Sequence, residues 1–537
     1  MSKLIPPAPQ NLTEAEVIHI KATAIRFEEL QVQPIPQLLD GQVPDLAHDT
    51  MALELGLIGW DRAARYWPER ERFLFWNGSH WAGDDKLASF TYVRAFLRLK
   101  ARQIQEWATG LAQAETDAKK AEKTLKWAAQ AAKELTNKAT VSSVREMMKS
   151  NPDKVVLSDD LDKDPWLLGT PTGTINLRTG EHRVSDSKDL ITRCVSVSPA
   201  APGSLAPVWN QFLRVVLDGN DELIAFIQRL FGYALTGLVS EHKFAFLYGT
   251  GRNGKGTFLN TVMDILGPYA RKAPASVFLE SKVQEHSTNL AGLVGKRFVF
   301  GSEIPRGAFW NEVQLKDATG GDTLTARFMR GDFFDFMPQF LLAIAGNNKP
   351  ALRGVDPAIR DRILMIPFTV YIPPEKRDPG LPDKLRAEAP AILRWLIDGC
   401  LAWQRDGLNP PEAVTAAVDD YMADEDVLGT FIRENARVDL VDKHCGTPKD
   451  QFVSRYNAWR VEQGMRPRPA PEIKKDMESH GYVEKRMRIG AMTSADNPLT
   501  CFHGVELRAA GVVTPPSVMP LVPTMPPGCL PLPKKIQ

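Results

Sequence analysis

The chain has 537 residues, 43% hydrophobic and 24% charged, with a formal net charge of +1. That length points to roughly three or four domains of an ordinary soluble protein, and the near-neutral balance means that any contact with nucleic acid must come from local patches. The five cysteines (Cys194, Cys400, Cys445, Cys501, Cys529) form no CxxC pair, which argues against a zinc ribbon or a disulfide framework; with no signal core and no apolar run of about 18 residues, the expected setting is the cytoplasm.

Residues 1–45 are proline-rich and weakly patterned, as in a flexible lead-in. Residues 46–98 hold aromatic clusters such as RYWPERERFLFWNGSHWAGDD, which predict short strands around a turn at Asn77-Gly78. Residues 99–148 are rich in Ala, Lys, Glu and Gln without proline. They predict one or two long helices, a solvated arm within an N-terminal α+β module over 46–200. Strand and turn signals return over 155–200, and a helical collar is expected over 201–242. From 243 to about 370, apolar β-rich runs alternate with helical patterns, as an α/β nucleotide-binding domain requires. This α/β domain is drawn over 243–400, followed by a helical linker (401–428) and a smaller α+β unit (429–510). The tail 511–537 carries eight prolines and is expected to be disordered.

FAFLY, residues 244–248, is a continuous apolar run, as in a buried parallel strand. GTGRNGKG follows, then TFLNTVMDIL with helical spacing. Strand, glycine loop and helix make the setting of a phosphate-binding loop. Its candidate nucleotide-binding residues are Gly249, Gly251, Asn253, Gly254, Lys255, Gly256 and Thr257. The glycines let backbone N–H groups converge on phosphate oxygens, the helix N-terminus adds a favourable field, and Lys255 supplies a point charge for the β- and γ-phosphates. The loop departs from G-x-x-x-x-G-K-[ST]: position 256 is Gly, and the hydroxyl arrives one place late, at Thr257.

A second apolar run, RFVFGSE, ends in Glu303. At the C-terminal edge of an open α/β sheet, a carboxylate can hold Mg2+ through water or polarise the attacking water. A third run, FLLAIAGNN, carries Asn347 near its end, placed either to orient that water and sense the γ-phosphate or to cap a turn. In AIRDRILMIPF, Arg360 and Arg362 precede a further strand. Arginine at a subunit edge can stabilise charge on a neighbour's γ-phosphate, or form a surface salt bridge.

These features, in this order, resemble the superfamily 3 helicases, in the branch found in phage and plasmid primase–helicases and in poxvirus replication proteins. The matching text is FLYGTGRNGKGTFLNT, GKRFVFGSEI, LKDATGGDTLTARFMRGDFFDFMPQFLLAIAGNNKP and IRDRILMIPF, with PWLLGTPTGTINLRTG and GYALTG before the ATPase region. The resemblance implies a multidomain α/β protein: an AAA+-like P-loop ATPase core with an N-terminal α+β module, a helical linker and a C-terminal winged helix. It implies ATP and Mg2+ as cofactors, with Lys255 as Walker A lysine, Glu303 as Walker B carboxylate, Asn347 as sensor and Arg362 as arginine finger. It assigns the segment from Lys316 onward to a motif leading into a hairpin that touches single-stranded DNA, with Lys316, Arg327 and Arg330 as its cations and a Gly331-Asp332 turn between apolar runs. Gly256 departs from the family's usual hydroxyl; Thr257, a water or Glu303 remain as candidates to complete the metal shell.

Residues 449–508 contain 11 Lys+Arg and 8 Asp+Glu, a net of +3. A helix, a glycine turn and a basic hairpin resemble a winged helix, with Lys474 and Lys475 on its recognition helix and Lys485, Arg486 and Arg488 on its wing. A solvated charge run is the plain alternative. No zinc-ligand spacing precedes residue 200, and SDDLDKD (158–164) has no strand frame for a two-metal site. Priming is therefore expected from a separate protein. The reading is a ring-forming, ATP-dependent DNA helicase, expected to be a hexamer moving 3'-5' on single-stranded or forked DNA, in phage, prophage or plasmid replication within a bacterial host cell. The rivals are a remodelling ATPase that needs no DNA and a nucleotide-dependent initiator without processive unwinding.

Overall fold

A computed structural model describes residues 45–57, 64–280, 287–329, 331–352, 357–489 and 496–508. The expected lead-in, all but its last residue, and the proline-rich tail lie outside them, as does Arg330. The chain forms two compact units: Met1–Ala351 with Ala358–Val418, and Leu352–Pro357 with Asp419–Gln537.

The first unit opens with α1 (His48–Leu57) and the antiparallel meander β1 (Ala64–Trp67), β2 (Arg72–Trp76) and β3 (Trp81–Gly83). The turn between β2 and β3 holds Asn77 and Gly78: Asn77 Oδ1 accepts from the amides of Ser79 (3.0 Å) and His80 (2.9 Å), and Gly78 has φ +97°. Helices α2 (Ala88–Ala114), α3 (Ala118–Leu135) and α4 (Lys138–Met147) follow. The first begins within the stretch expected as strands, because the Asp84 carboxylate accepts from the Ala88 and Ser89 amides and satisfies the helix start. These helices are more than a solvated arm. Val93, Leu97, Ala101, Ile104 and Ala108 recur at helical spacing and join Ala128, Leu135, Val144, Phe73 and Phe75 in one core.

A second meander, β4 (Leu167–Thr170), β5 (Gly173–Asn176) and β6 (Glu181–Arg183), comes next. Within the preceding acidic run, Asp162 is structural: it accepts from Thr192 N at 2.8 Å and Arg193 Nη1 at 2.6 Å. Helices α5 (Pro207–Val216) and α6 (Asp221–Ala234) then lead into the α/β body.

That body comprises β7 (Phe244–Tyr248), α7 (Lys255–Leu266), β8 (Ala270–Pro274), α8 (Ser287–Ala291), β9 (Phe298–Ser302), α9 (Glu312–Gly320), the hairpin β10 (Leu324–Arg327) and β11 (Phe333–Phe336), then β12 (Leu341–Gly346), α10 (Pro357–Arg360) and β13 (Ile363–Pro367). Five strands form a parallel sheet in the order β13-β7-β12-β9-β8. Its central strands are covered on both faces, which is why they read as unbroken apolar runs. α11 (Leu381–Ala387) and α12 (Ala389–Asp406) close over α5 and α6, and α13 (Glu412–Glu425) runs out of the first unit.

The second unit contains α14 (Val427–Asn435), β14 (Ala436–Val438), β15 (Gly446–Pro448), α15 (Lys449–Glu462), α16 (Ala470–Ser479), β16 (Glu484–Met487), β17 (Leu499–His503) and β18 (Val505–Leu507). Its sheet has the order β15-β17-β16, with β14 and β18 paired separately. Phe431, Phe452, Tyr456, Ile473, Met477 and Phe502 make its core. No helix among the described residues is long and apolar enough to cross a membrane.

Candidate functional site

The register of the parallel sheet decides what shares the site. Tyr248 pairs with Gly346 and Ser302 with Ala345, so β7, β9 and β12 end nearly level. The residues that follow them are Gly249, Glu303 and Asn347. Lys255 opens α7 directly after the glycine loop. Its ammonium donates to Gly249 O at 2.8 Å and to Asn347 Oδ1 at 3.3 Å. Lys255 is 7% exposed, and desolvation lowers its pKa from 10.5 to about 8. A buried cation of this kind is stabilised by an incoming anion.

The loop requires glycine at two positions. Gly254 has φ +84°, and a Cβ there would fall 2.4 Å from Val216 Cγ1. Gly249 has φ +151°, and a Cβ would fall 2.0 Å from Phe368 O. Gly256 differs: a Cβ there meets nothing within 4 Å, so no clash demands its glycine. Asn253 is buried and its Nδ2 donates to Phe368 O at 2.6 Å, bracing the loop against the chain just beyond β13. Its amide side chain is thus committed to the fold.

Lys255, Gly256, Glu303 and Asn347 line one cleft of about 360 Å³. Asn260 and Lys272, which the sequence reading passed over, line it too, as does Ser302. Glu303 is exposed and has φ +71°, a left-handed conformation rare outside glycine. Such conformations cost on the order of 1–3 kcal/mol and gather at functional sites.

Thr257 opens elsewhere. It lines a cleft of about 670 Å³ on the other side of the loop, with Gly254, Arg252, Phe212 and Ile372. Successive helical residues diverge by about 100°, so Gly256 and Thr257 face different ways. Of the candidates for the metal shell, Glu303 lines the first cleft and Thr257 the second. The oxygen donors on the first cleft are Glu303, Ser302, Asn260, Asn347 and Asn348. Among the described residues no cluster of three or more His, Cys, Asp or Glu comes together. One carboxylate with neutral oxygens suits magnesium, which keeps waters and takes phosphate oxygens rather than an all-protein cage.

Arg362 lies just before β13, at the sheet edge opposite the loop. Five residues of strand put it about 16 Å from the cleft edge. Its Nη1 donates to Ala358 O at 2.8 Å, and its buried Nε has no hydrogen-bond partner. The cleft is out of its reach.

The DNA-contact candidates are dispersed. Lys316 sits on α9, ahead of the hairpin rather than on it. Arg327 ends β10, exposed, with its guanidinium 5.0 Å from the ring centroid of Phe333, itself 63% exposed. In the second unit, Lys474 of α16 pairs with Glu484 at 2.5 Å. Lys475, Lys485 and Arg486 are exposed, and Arg488 Nε donates to Asp496 O at 2.9 Å.

Comparison with known proteins gives two family matches along the chain. Residues 58–218 match the "D5 N terminal like" family, and residues 247–362 match a family of unknown function, DUF5906. "Putative helicase L207/L206" of Acanthamoeba polyphaga mimivirus is 25% identical over 307 residues, 53% of this chain and 32% of that protein. "Putative helicase 022R" of Frog virus 3 (isolate Goorha) is 28% identical over 218 residues, 36% of this chain and 22% of that protein. The matched part of the chain thus spans a third or less of the length of these curated relatives. A solved apo structure of the NrS-1 C-terminal region is similar at TM-score 0.38 and 10% identity, covering 57% of this chain and 77% of that one. The two family matches lie in order along the sequence, and the chain is similar to two viral proteins named as putative helicases; together these support kinship with phage and viral primase–helicases.

Proposed function

We propose that this protein is an ATP-driven DNA helicase that works as a hexameric ring, moving 3'-5' on single-stranded or forked DNA during phage, prophage or plasmid replication. The observation that carries the reading is the convergence of Lys255, Glu303 and Asn347 on one cleft at the C-terminal edge of a parallel sheet. In this reading 243–400 is an AAA+-like P-loop core. The amides of Gly249, Gly251, Gly254 and Gly256 cradle phosphates, and Lys255 leaves its internal acceptors to bind the β- and γ-oxygens. The larger cleft, with Phe212 and Ile372 beside Arg252, suits the nucleoside.

Glu303 orients the attacking water and accepts its proton. Asn347 holds that water by hydrogen bond and registers whether the γ-phosphate is present. Magnesium, when bound with the nucleotide, neutralises phosphate charge and polarises the phosphoryl oxygens. Arg362 serves the site of the adjoining subunit. The β10–β11 hairpin, with Arg327 and the Arg330 of the sequence reading, follows the nucleotide state and pulls on one DNA strand; the positive tips supply the sequence-independent attraction. The second unit acts as a winged helix on duplex or fork DNA, and a separate primase supplies primers.

The test is strand displacement on a forked substrate, with ATP turnover measured with and without single-stranded DNA. Unwinding that needs ATP and disappears in Lys255→Ala is expected. ATP turnover that ignores single-stranded DNA, together with no displacement, would sink the helicase reading.

A further inference from the structure

Gly256 leaves the phosphate cleft without the hydroxyl that a phosphate-binding loop normally offers to magnesium. Thr257, one candidate to replace it, lines the other cleft. The helix itself offers another group. Side chains on an α-helix lean toward its N-terminus, so each covers the turn before its own Cα. Asn260 stands four residues after Gly256 on α7, and the two line the same cleft. A side chain at Gly256 would occupy this ground, and it is open, since a Cβ there meets nothing within 4 Å. Asn260 is exposed, and its side-chain carbonyl is a neutral oxygen with two lone pairs, of the hard type that magnesium and its waters accept. Ser302 brings a hydroxyl to the same cleft from the end of β9, one residue before Glu303.

Resting on the nucleotide-site reading above, we propose that Asn260, assisted by Ser302, takes the place of the missing hydroxyl and holds hydrated magnesium at the helix side of the cleft. The chain has moved this oxygen one helical turn down α7. The departure at Gly256 is then a relocation of function, because the residue that normally carries it is absent and the space above Asn260 is free.

The test uses the full-length protein and a fluorescent ATP analogue, with affinity measured in EDTA and across a magnesium titration, and paramagnetic resonance of Mn2+ bound with the analogue as a second readout. Asn260→Ala is expected to lose about tenfold in the apparent affinity for the divalent ion while affinity in EDTA stays as in the wild type. Gly256→Ser added to Asn260→Ala is expected to restore much of the metal dependence, because a hydroxyl then returns to its usual place. An unchanged magnesium titration and Mn2+ spectrum in Asn260→Ala would overturn the proposal. So would an equal loss with and without magnesium, which is what a structural role produces. If Lys255→Ala binds the analogue as tightly as the wild type, the nucleotide-site reading fails instead, and the two failures are told apart.

Discussion

Asn347 Oδ1 accepts a hydrogen bond from Lys255 Nζ at 3.3 Å, joining the end of a central strand to the first residue of the helix after the loop. Without phosphate, the lysine is satisfied by this amide and by Gly249 O. A γ-phosphate must take over the ammonium, and the released amide is then free for the attacking water. Asn347→Ala is therefore expected to lower kcat for ATP hydrolysis by about a hundredfold, the typical loss of one positioned polar group, with little change in nucleotide Kd. Asn347→Asp should behave differently. It sets a carboxylate against the ammonium, ties Lys255 down as an ion pair and weakens nucleotide binding itself. Steady-state turnover and analogue titration separate the two. A loss of binding without loss of turnover in Asn347→Ala would make it a binding residue and remove it from the catalytic step.

The lowered pKa of Lys255 gives a pH signature. The group titrates at about 8 in the folded, nucleotide-free protein and at 10.5 as its ordinary value, the difference arising from burial. Between these values the unfolded chain holds more protons than the folded one, so the free protein gains stability as pH rises through this window and is penalised below about 8. Phosphates favour the charged form and raise the pKa again. At about pH 9, nucleotide binding should thus take up a fraction of one proton, and affinity should fall as pH rises further. Calorimetry in two buffers of different ionisation enthalpy reads the uptake directly. Lys255→Met should show none at this site; equal uptake in both proteins would mean that another group titrates.

Much of this site is legible in the sequence because it is local. GTGRNGKG between an apolar strand and a helix announces itself, and the strands before Glu303 and Asn347 are unbroken apolar runs. What escapes depends on direction and on strand order. Thr257 is next to Gly256 in sequence, yet a helix turns neighbours about 100° apart. Asn260 was within reach, since a spacing of four from Gly256 puts it on the same helix face. Lys272 was not: it reaches the cleft because β8 pairs with β9, with Lys272 opposite Phe300, and parallel strand order is a tertiary property. Lys474 reads as an exposed cation until the fold brings Glu484 against it. The start of α2 at Ala88 was hidden because Asp84 caps it from four residues upstream.

Arg362 stands at the sheet edge away from the cleft, its guanidinium bound to one backbone carbonyl through Nη1 and its Nε unpaired. The proposed arginine finger therefore requires Arg362 to act across a subunit boundary. Arg362→Ala and Lys255→Ala proteins should each be inactive alone. Mixed into the same rings, they should regain part of the ATP turnover, because some interfaces then join an intact lysine to an intact arginine. Mass measurement verifies that the rings are mixed. No recovery in verified mixed rings counts against action in trans, and near-normal turnover in Arg362→Ala alone removes the residue from the mechanism.

The basic residues of the second unit divide by what already engages them. Glu484 takes both Lys474, at 2.5 Å, and Lys449, at 3.0 Å, so Lys474 is committed to holding α16 against β16. The same bond raises the pKa of Lys474 and lowers that of Glu484. Lys475, Lys485 and Arg486 are exposed on the same two elements. Each of these three, changed to Ala, is expected to weaken DNA binding by a similar factor for all sequences and to reduce the slope of log K against log salt by about one. Lys474→Ala is expected to leave the slope nearly unchanged and to lower the thermal midpoint of the unit instead. Fluorescence anisotropy at several salt concentrations, beside thermal melts, decides the assignment. If Lys474→Ala lowers the slope as much as Lys475→Ala does, the ion pair with Glu484 opens on binding, and α16 meets the DNA with both lysines.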